Sequence, residues 1–175
     1  MNADDRVMEF FPKKLSRKES REVFAILKDE IEDRGWGLWA VEINSELAGY
    51  TGLASPAYEA HFTPCTEIGW RFLPQFWGQR YATEAAQLVL LFAFAILHLE
   101  EVVSYTVRVN RRSVKVMQRL GMVRDPEEDF DHPELPAGHV LQRHVLYRLK
   151  NMLETTARLK RELGNQIGEP ATGTG

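Results

Sequence analysis

Hydrophobic and polar positions along this chain fall into alternating blocks of helical and extended periodicity. Residues 16–34 place Val23, Ile26, Leu27 and Ile31 at helical intervals behind Ser16 and Glu19, a capping-box spacing, and predict an amphipathic helix ending near Gly35. Trp39, Val41 and Ile43 then alternate with more polar neighbours. A second run, Leu47–Leu53, follows the short polar stretch 44–46, so two antiparallel strands joined by a tight turn account for both. A third strand is expected over Thr66–Leu73, with Ile68, Trp70 and Phe72 on one face and Glu67, Gly69 and Arg71 on the other. The segment from about Tyr81 to His98 is apolar nearly all round, which predicts a helix buried against a sheet, and Val102–Val109 reads as the next strand.

Farther along, Arg111–Leu120 predicts a short helix closed by Gly121, and residues 125–139, rich in Pro, Asp and Glu, predict mostly loop. Val140–Leu149 reads as a last strand, followed by helix-favouring residues and a terminal stretch with too little apolar content to pack. The expected organisation is one domain over residues 1–149, a helical extension over 150–164 and a disordered tail over 165–175.

Composition narrows the partners. The chain has 175 residues, 44% of them hydrophobic, which supports a single core, and its net charge of -3 offers no broad basic surface for nucleic acid. Cys65 is the lone cysteine, so no intrachain disulfide is available and a reducing cytoplasm fits. The most apolar stretch, Leu88–Leu97, is too short to span a membrane. His61, His132, His139 and His144 lack a recognised ligand spacing, so no metal is expected.

The chemistry concentrates at Pro74–Ala85, PQFWGQRYATEA, where a strand runs through a glycine-containing turn into a helix. A helix start presents unpaired backbone N–H groups and a partial positive charge, an anion site that needs no side chain. Gly78 does not satisfy the spacings of the Rossmann or Walker phosphate loops. The run Gln75, Phe76, Trp77, Gly78, Gln79, then Tyr81, Ala82, Thr83, Glu84 and Ala85, resembles motif A of the GNAT acetyltransferases in its Rim-type form, that of ribosomal-protein N-terminal acetyltransferases. Arg80 stands where a second small residue is usual; its side chain either crowds a pyrophosphate or swings outward to pair with a phosphate. A second stretch, residues 110–122, NRRSVKVMQRLGM, is similar to the GNAT segment in which an Asn opens a short helix beside the pantetheine arm. Helix capping by Asn110 and Gly121 explains the same two residues without a ligand.

The resemblance covers residues 4–149. It implies an α/β fold with a mixed, mostly antiparallel sheet flanked by helices, and acetyl-CoA as co-substrate. Trp70 and Phe72 would pair with pantetheine through their backbones, Asn110 would lie beside it, and Gln75, Trp77, Gly78, Gln79, Arg80, Tyr81, Ala82 and Thr83 would surround the pyrophosphate. GNAT domains ordinarily begin with a strand and helix ahead of the stretch that ADDRVMEFF resembles, so the usual first strand is expected to be absent or replaced. An open sheet edge would follow, favouring a homodimer.

Acetyl transfer to an amine needs a neutral amine, a polarised carbonyl and a stabilised leaving thiolate. Many family members protonate the thiolate with a Tyr seven residues after the Asn; the matching residue here is Met117. Rim-type enzymes lacking that Tyr use a Ser three residues after the Asn, which implies Ser113 as a hydrogen-bond donor to sulfur; the alternative is a solvent-facing serine in a first helical turn. Glu67 is the candidate base, directly or through water, against the reading of a solvated strand carboxylate. A protein α-amine is roughly 10% neutral at pH 7 and a lysine less than about 0.1%, so a modest base suits the former better. The loop around Asp131 and His132 resembles acceptor-side loops of the Rim-like subgroup, and the acceptor itself, peptide N-terminus or small-molecule amine, stays open. So does a second class of function, a non-catalytic acyl-CoA-binding or regulatory module.

Overall fold

The computed structural model describes residues 1–167; the rest of the expected disordered tail, 168–175, lies outside the described residues. Helix α1, Arg17–Arg34, starts at a full capping box: the Ser16 side chain accepts from the Glu19 N–H, and Glu19 reaches back to the Ser16 N–H at 2.8 Å. Gly35 ends it at φ 76°, in the left-handed region. None of its residues is buried, and Val23, Phe24 and Ile26 are exposed.

Strands β1, Leu38–Ile43, and β2, Glu46–Ala54, form the expected hairpin, turning through Asn44 and Ser45 at φ 51° and 63°. Strand β3, Glu67–Phe72, leads into helix α2, Tyr81–Ala95; strand β4, Glu101–Val107, and helix α3, Arg111–Arg119, follow. The acidic segment 125–139, expected mostly as loop, contains one short strand, β6, Phe130–Asp131, and another, β5, Val123–Arg124, stands just before it. Both pair with β7, Arg143–Lys150, whose start lies three residues later than the pattern predicts because Val140 is left in a solvent-facing turn. Arg124 is ion-paired with Asp129, and Arg148 bridges Glu101 at 2.5 Å and Glu128 at 2.6 Å, so the charges that argued for loop brace the short strands instead.

Helix α4, Leu153–Ile167, packs Leu159 and Leu163 inward and takes in three residues that composition had assigned to the tail. Glu162 accepts from Gln87 of α2 at 2.5 Å, and Arg158 donates to the Leu120 carbonyl at 2.7 Å. The sheet runs β1-β2-β3-β4-β7-β5, with β6 also on β7, and every neighbour pair is antiparallel except β3 with β4. β1 forms its outer edge, and no strand precedes α1 among the described residues. The main core lies between the sheet and α2, α3 and α4, around Leu53, Ile68, Leu90, Met117 and Leu120.

Candidate active site

The parallel pair β3 and β4 shares one registered position, Glu67 with Val103; beyond it the strands part like a V. The Leu73 N–H donates to Ala48 of β2 and the Val103 N–H to Thr66. By strand alternation, the backbone groups of Ile68, Trp70 and Phe72 therefore face the gap. A cleft of about 890 Å³ occupies this opening and is lined by both expected strand residues, Trp70 and Phe72. The Phe72 carbonyl is already taken by the Trp77 indole N–H at 2.9 Å, leaving its N–H and both groups of Trp70 toward the gap.

At one end of the cleft lies the turn that begins α2. Gly78 has φ 78° and Arg80 φ 68°, so two left-handed residues flank Gln79 and curl the chain. No backbone N–H from Gly78 through Ala82 has an acceptor among the described residues, whereas Thr83 and Glu84 both donate to the Arg80 carbonyl. Five consecutive free donors at a helix start form an anion cradle. Thr83 lines the cleft and its buried Oγ1 has no partner. Arg80, Arg112, Lys115 and Arg119 line the same end; among the described residues only Arg112 is ion-paired, to Glu9, and its guanidinium lies 4.3 Å from the Trp77 ring. An orphaned hydroxyl, free amides and unpaired cations fit a polyphosphate cofactor such as coenzyme A.

Trp77, Gly78, Arg80, Tyr81 and Ala82 line the cleft, but the side chains of Gln75 and Gln79 do not. Gln75 bonds Glu46 at 3.2 Å, and Gln79 folds back onto the Gln75 carbonyl at 2.8 Å. Their side chains brace the turn from outside, and Gln79 contributes its backbone N–H. Arg80 is exposed at the cleft, its side chain without a hydrogen bond or ion pair among the described residues, in a conformation that glycine adopts at lower cost.

Asn110 caps α3, accepting from the Ser113 N–H at 3.3 Å while its amide donates to Thr106 at 3.0 Å. This pins the first turn of α3 to β4, and Asn110 and Ser113 both line the cleft. Met117 is fully buried in the main core, so the position of the usual tyrosine acid is spent on packing.

At the apex of the V, Glu67 accepts a hydrogen bond from the Tyr105 hydroxyl at 2.5 Å. Burial pushes its carboxyl up to about 7, and the Tyr105 bond pulls the other way. A carboxylate at this value exchanges protons near neutral pH. Beyond it, His132 and His144 stand with ring centres 5.0 Å apart, and burial holds both imidazoles below their usual range. His132 lines the cleft as expected, but Asp131 does not: it is exposed and ion-paired with Arg143 at 3.3 Å, because alternation along β6 turns it away from Phe130 and His132. Tyr105 and the cations Arg112, Lys115 and Arg119 were missed by reading the sequence; Tyr105 follows from pairing β4 with β3, which no local pattern reveals.

A family model described as an acetyltransferase (GNAT) domain matches residues 1–123, and the chain belongs to that family. It is 34% identical over 119 residues to the FsC-acetyl coenzyme A-N(2)-transacetylase of Aspergillus fumigatus, covering 66% of this chain and 50% of that protein. The chain thus spans about half the length of the curated relatives it matches. Among solved structures, an acetyltransferase from Agrobacterium tumefaciens aligns at TM-score 0.65 and 25% identity over 84% of this chain and 79% of that one. A ribosomal-protein-S5-alanine acetyltransferase from Vibrio fischeri aligns at TM-score 0.67 over 86% and 83%; at 14% identity that likeness is one of fold.

Proposed function

We propose that this protein is an N-acetyltransferase that moves an acetyl group from acetyl-CoA directly to a primary amine. The observation that carries the reading is Glu67, a carboxylate raised to about 7, at the closed end of a cleft whose other end is a phosphate cradle. In the transfer, the amine nitrogen bonds the thioester carbonyl carbon and the carbon–sulfur bond breaks. The amine proton passes to Glu67, directly or through a water, and the departing thiolate takes a hydrogen bond from the Ser113 hydroxyl and then a proton from solvent, to which Glu67 returns its own. The free turn amides and the cations Arg80, Lys115 and Arg119 would hold the coenzyme phosphates, with Thr83 completing the cradle. The name of the Aspergillus fumigatus relative, an acetyl-coenzyme A transacetylase, supports this coenzyme.

The Rim-type branch is favoured by Ser113, three residues after Asn110, and makes a peptide N-terminus the first acceptor to try, ahead of small-molecule amines. The open edge of β1 and the uncovered apolar residues of α1 favour self-association in a reducing, cytoplasmic setting. Free-thiol release from acetyl-CoA with a panel of amines and amino-terminal peptides tests the activity. Absence of release above background from folded protein that binds acetyl-CoA would overturn it. That outcome supports the second reading, a non-catalytic acyl-CoA-binding or regulatory module, which the burial of Met117 in place of a tyrosine acid favours.

A further inference from the structure

The acceptor side of the cleft holds a cation that no acidic group answers among the described residues. Glu67, Gly69 and Arg71 alternate along one face of β3, placing a carboxylate and a guanidinium on either side of a glycine. At about 3.3 Å per residue, their Cα atoms stand roughly 13 Å apart. A Cβ built on Gly69 would meet nothing nearer than Glu67 Oε1 at 3.9 Å, so the floor between the two charges is an open notch.

Arg71 is surrounded by neutral groups. It donates to Asn2 Oδ1 at 3.0 Å and toward Met8 Sδ at 3.8 Å, and its guanidinium lies 3.9 Å from the Phe11 ring centre and 5.4 Å from that of Tyr50. Its Nε is buried without a partner, and no carboxylate lies within ion-pair distance among the described residues. Arg6, on the same side of the cleft, is neutralised by Asp4 at 2.7 Å. A desolvated guanidinium retains its charge and its fork of donors, a geometry that matches a carboxylate.

On the N-acetyltransferase reading above, we propose that the acceptor is an amine that also carries a carboxylate, held by Arg71 across the Gly69 notch while its nitrogen lies at Glu67. A spacing on this scale favours a carboxylate several bonds from the reacting nitrogen over the α-carboxylate of the reacting amino acid itself. It fits an acidic side chain close to a peptide N-terminus, or a free amino acid with its two ends several carbons apart. The same Arg71 also pins Asn2, Met8 and Phe11 over the sheet, a structural role that acceptor selectivity separates from recognition.

The test uses acid and amide twins: Ala-Glu amide against Ala-Gln amide for the peptide source, and ε-aminocaproate against its carboxamide for the free amino acid. In the wild type, kcat/KM favours the acid of at least one pair by about tenfold, through KM. Arg71→Met removes that preference and leaves the amide twin within about threefold. Arg71→Lys, which keeps the charge without the fork, retains part of it. Equal use of both twins by the wild type, or an equal loss on acid and amide in the variants, overturns the proposal. If no acceptor is turned over, the acetylated twins are titrated calorimetrically into the coenzyme A complex. Acid-selective binding lost in Arg71→Met upholds the carboxylate site although the enzymatic reading falls, and equal or absent binding of both twins sinks the site.

Discussion

The hydroxyl of Tyr105 donates to the carboxylate of Glu67 at 2.5 Å, bridging β4 and β3 where the two strands begin to part. Because the bond favours the ionised carboxylate, it opposes the upward pull of burial that leaves Glu67 near 7. Tyr105→Phe therefore raises the Glu67 value by roughly one pH unit. The rising limb of kcat/KM against pH moves upward to match, so activity falls at pH 6 and is largely recovered at pH 9. A limb that stays in place would show that Glu67 is not the group titrating.

Glu67 also makes the fold pH-dependent. Its folded value of about 7 lies above the ordinary 4.5, so the native state holds the proton longer than the unfolded chain. This group's contribution is full below about pH 4.5, declines as pH rises, and has become a net cost above pH 7. Replacing Glu67 with Gln removes that decline. In urea titrations the variant gains about 2 to 3 kcal/mol on the wild type between pH 5 and pH 8, while acetyl transfer drops by about a hundredfold. Parallel pH curves for the two proteins would contradict the burial of the carboxylate.

Arg80 occupies a left-handed position at φ 68° and its side chain lines the phosphate end without a partner among the described residues. Arg80→Gly relieves the backbone and stabilises the protein by up to about 1 kcal/mol, after allowing for the greater freedom of glycine in the unfolded chain. It also removes a cation, so coenzyme A binds more weakly and with a shallower dependence on salt. Calorimetry at low and high ionic strength reads the second effect. Tighter binding in the variant would mean that the side chain obstructs the phosphates.

Gly69 offers a way to close the acceptor side alone. The Cβ of a valine there comes no nearer than an ordinary 3.9 Å contact with Glu67 Oε1, so the fold accepts it, but its methyl groups fill the notch between Glu67 and Arg71. Gly69→Val raises the acceptor KM by about tenfold or more, with coenzyme A affinity unchanged. Loss of coenzyme binding in a folded variant would place the notch on the coenzyme's own path.

Local chemistry made much of the fold legible. The Ser16–Glu19 box, Gly35, the Asn44–Ser45 turn and the strand-to-helix run at Gly78 each state their conformation within a few residues. The GNAT resemblance and the phosphate cradle followed from the last of these. What stayed hidden depends on contacts across the chain. Two-residue strands such as β5 and β6 carry no period of their own and exist because β7 offers them an edge. Asp131 shares a loop with His132, yet one step of alternation separates the cleft from solvent. Arg71 read as the polar face of a strand, and only the folding of Asn2, Met8 and Phe11 over it shows that its charge has no counter-ion among the described residues.

Since β3 and β4 meet at a single rung, the sheet is two panels joined at Glu67 and Val103. An amide-bearing pantetheine in the gap would act as a borrowed strand, bonding to Trp70 and coupling the panels mechanically for as long as it stays. The backbone amide of Trp70 would then alternate between shielded and solvent-exposed with each round of loading and release. Hydrogen exchange at that one amide would thus count coenzyme occupancy, a readout built into the backbone and independent of any chemistry at the acceptor.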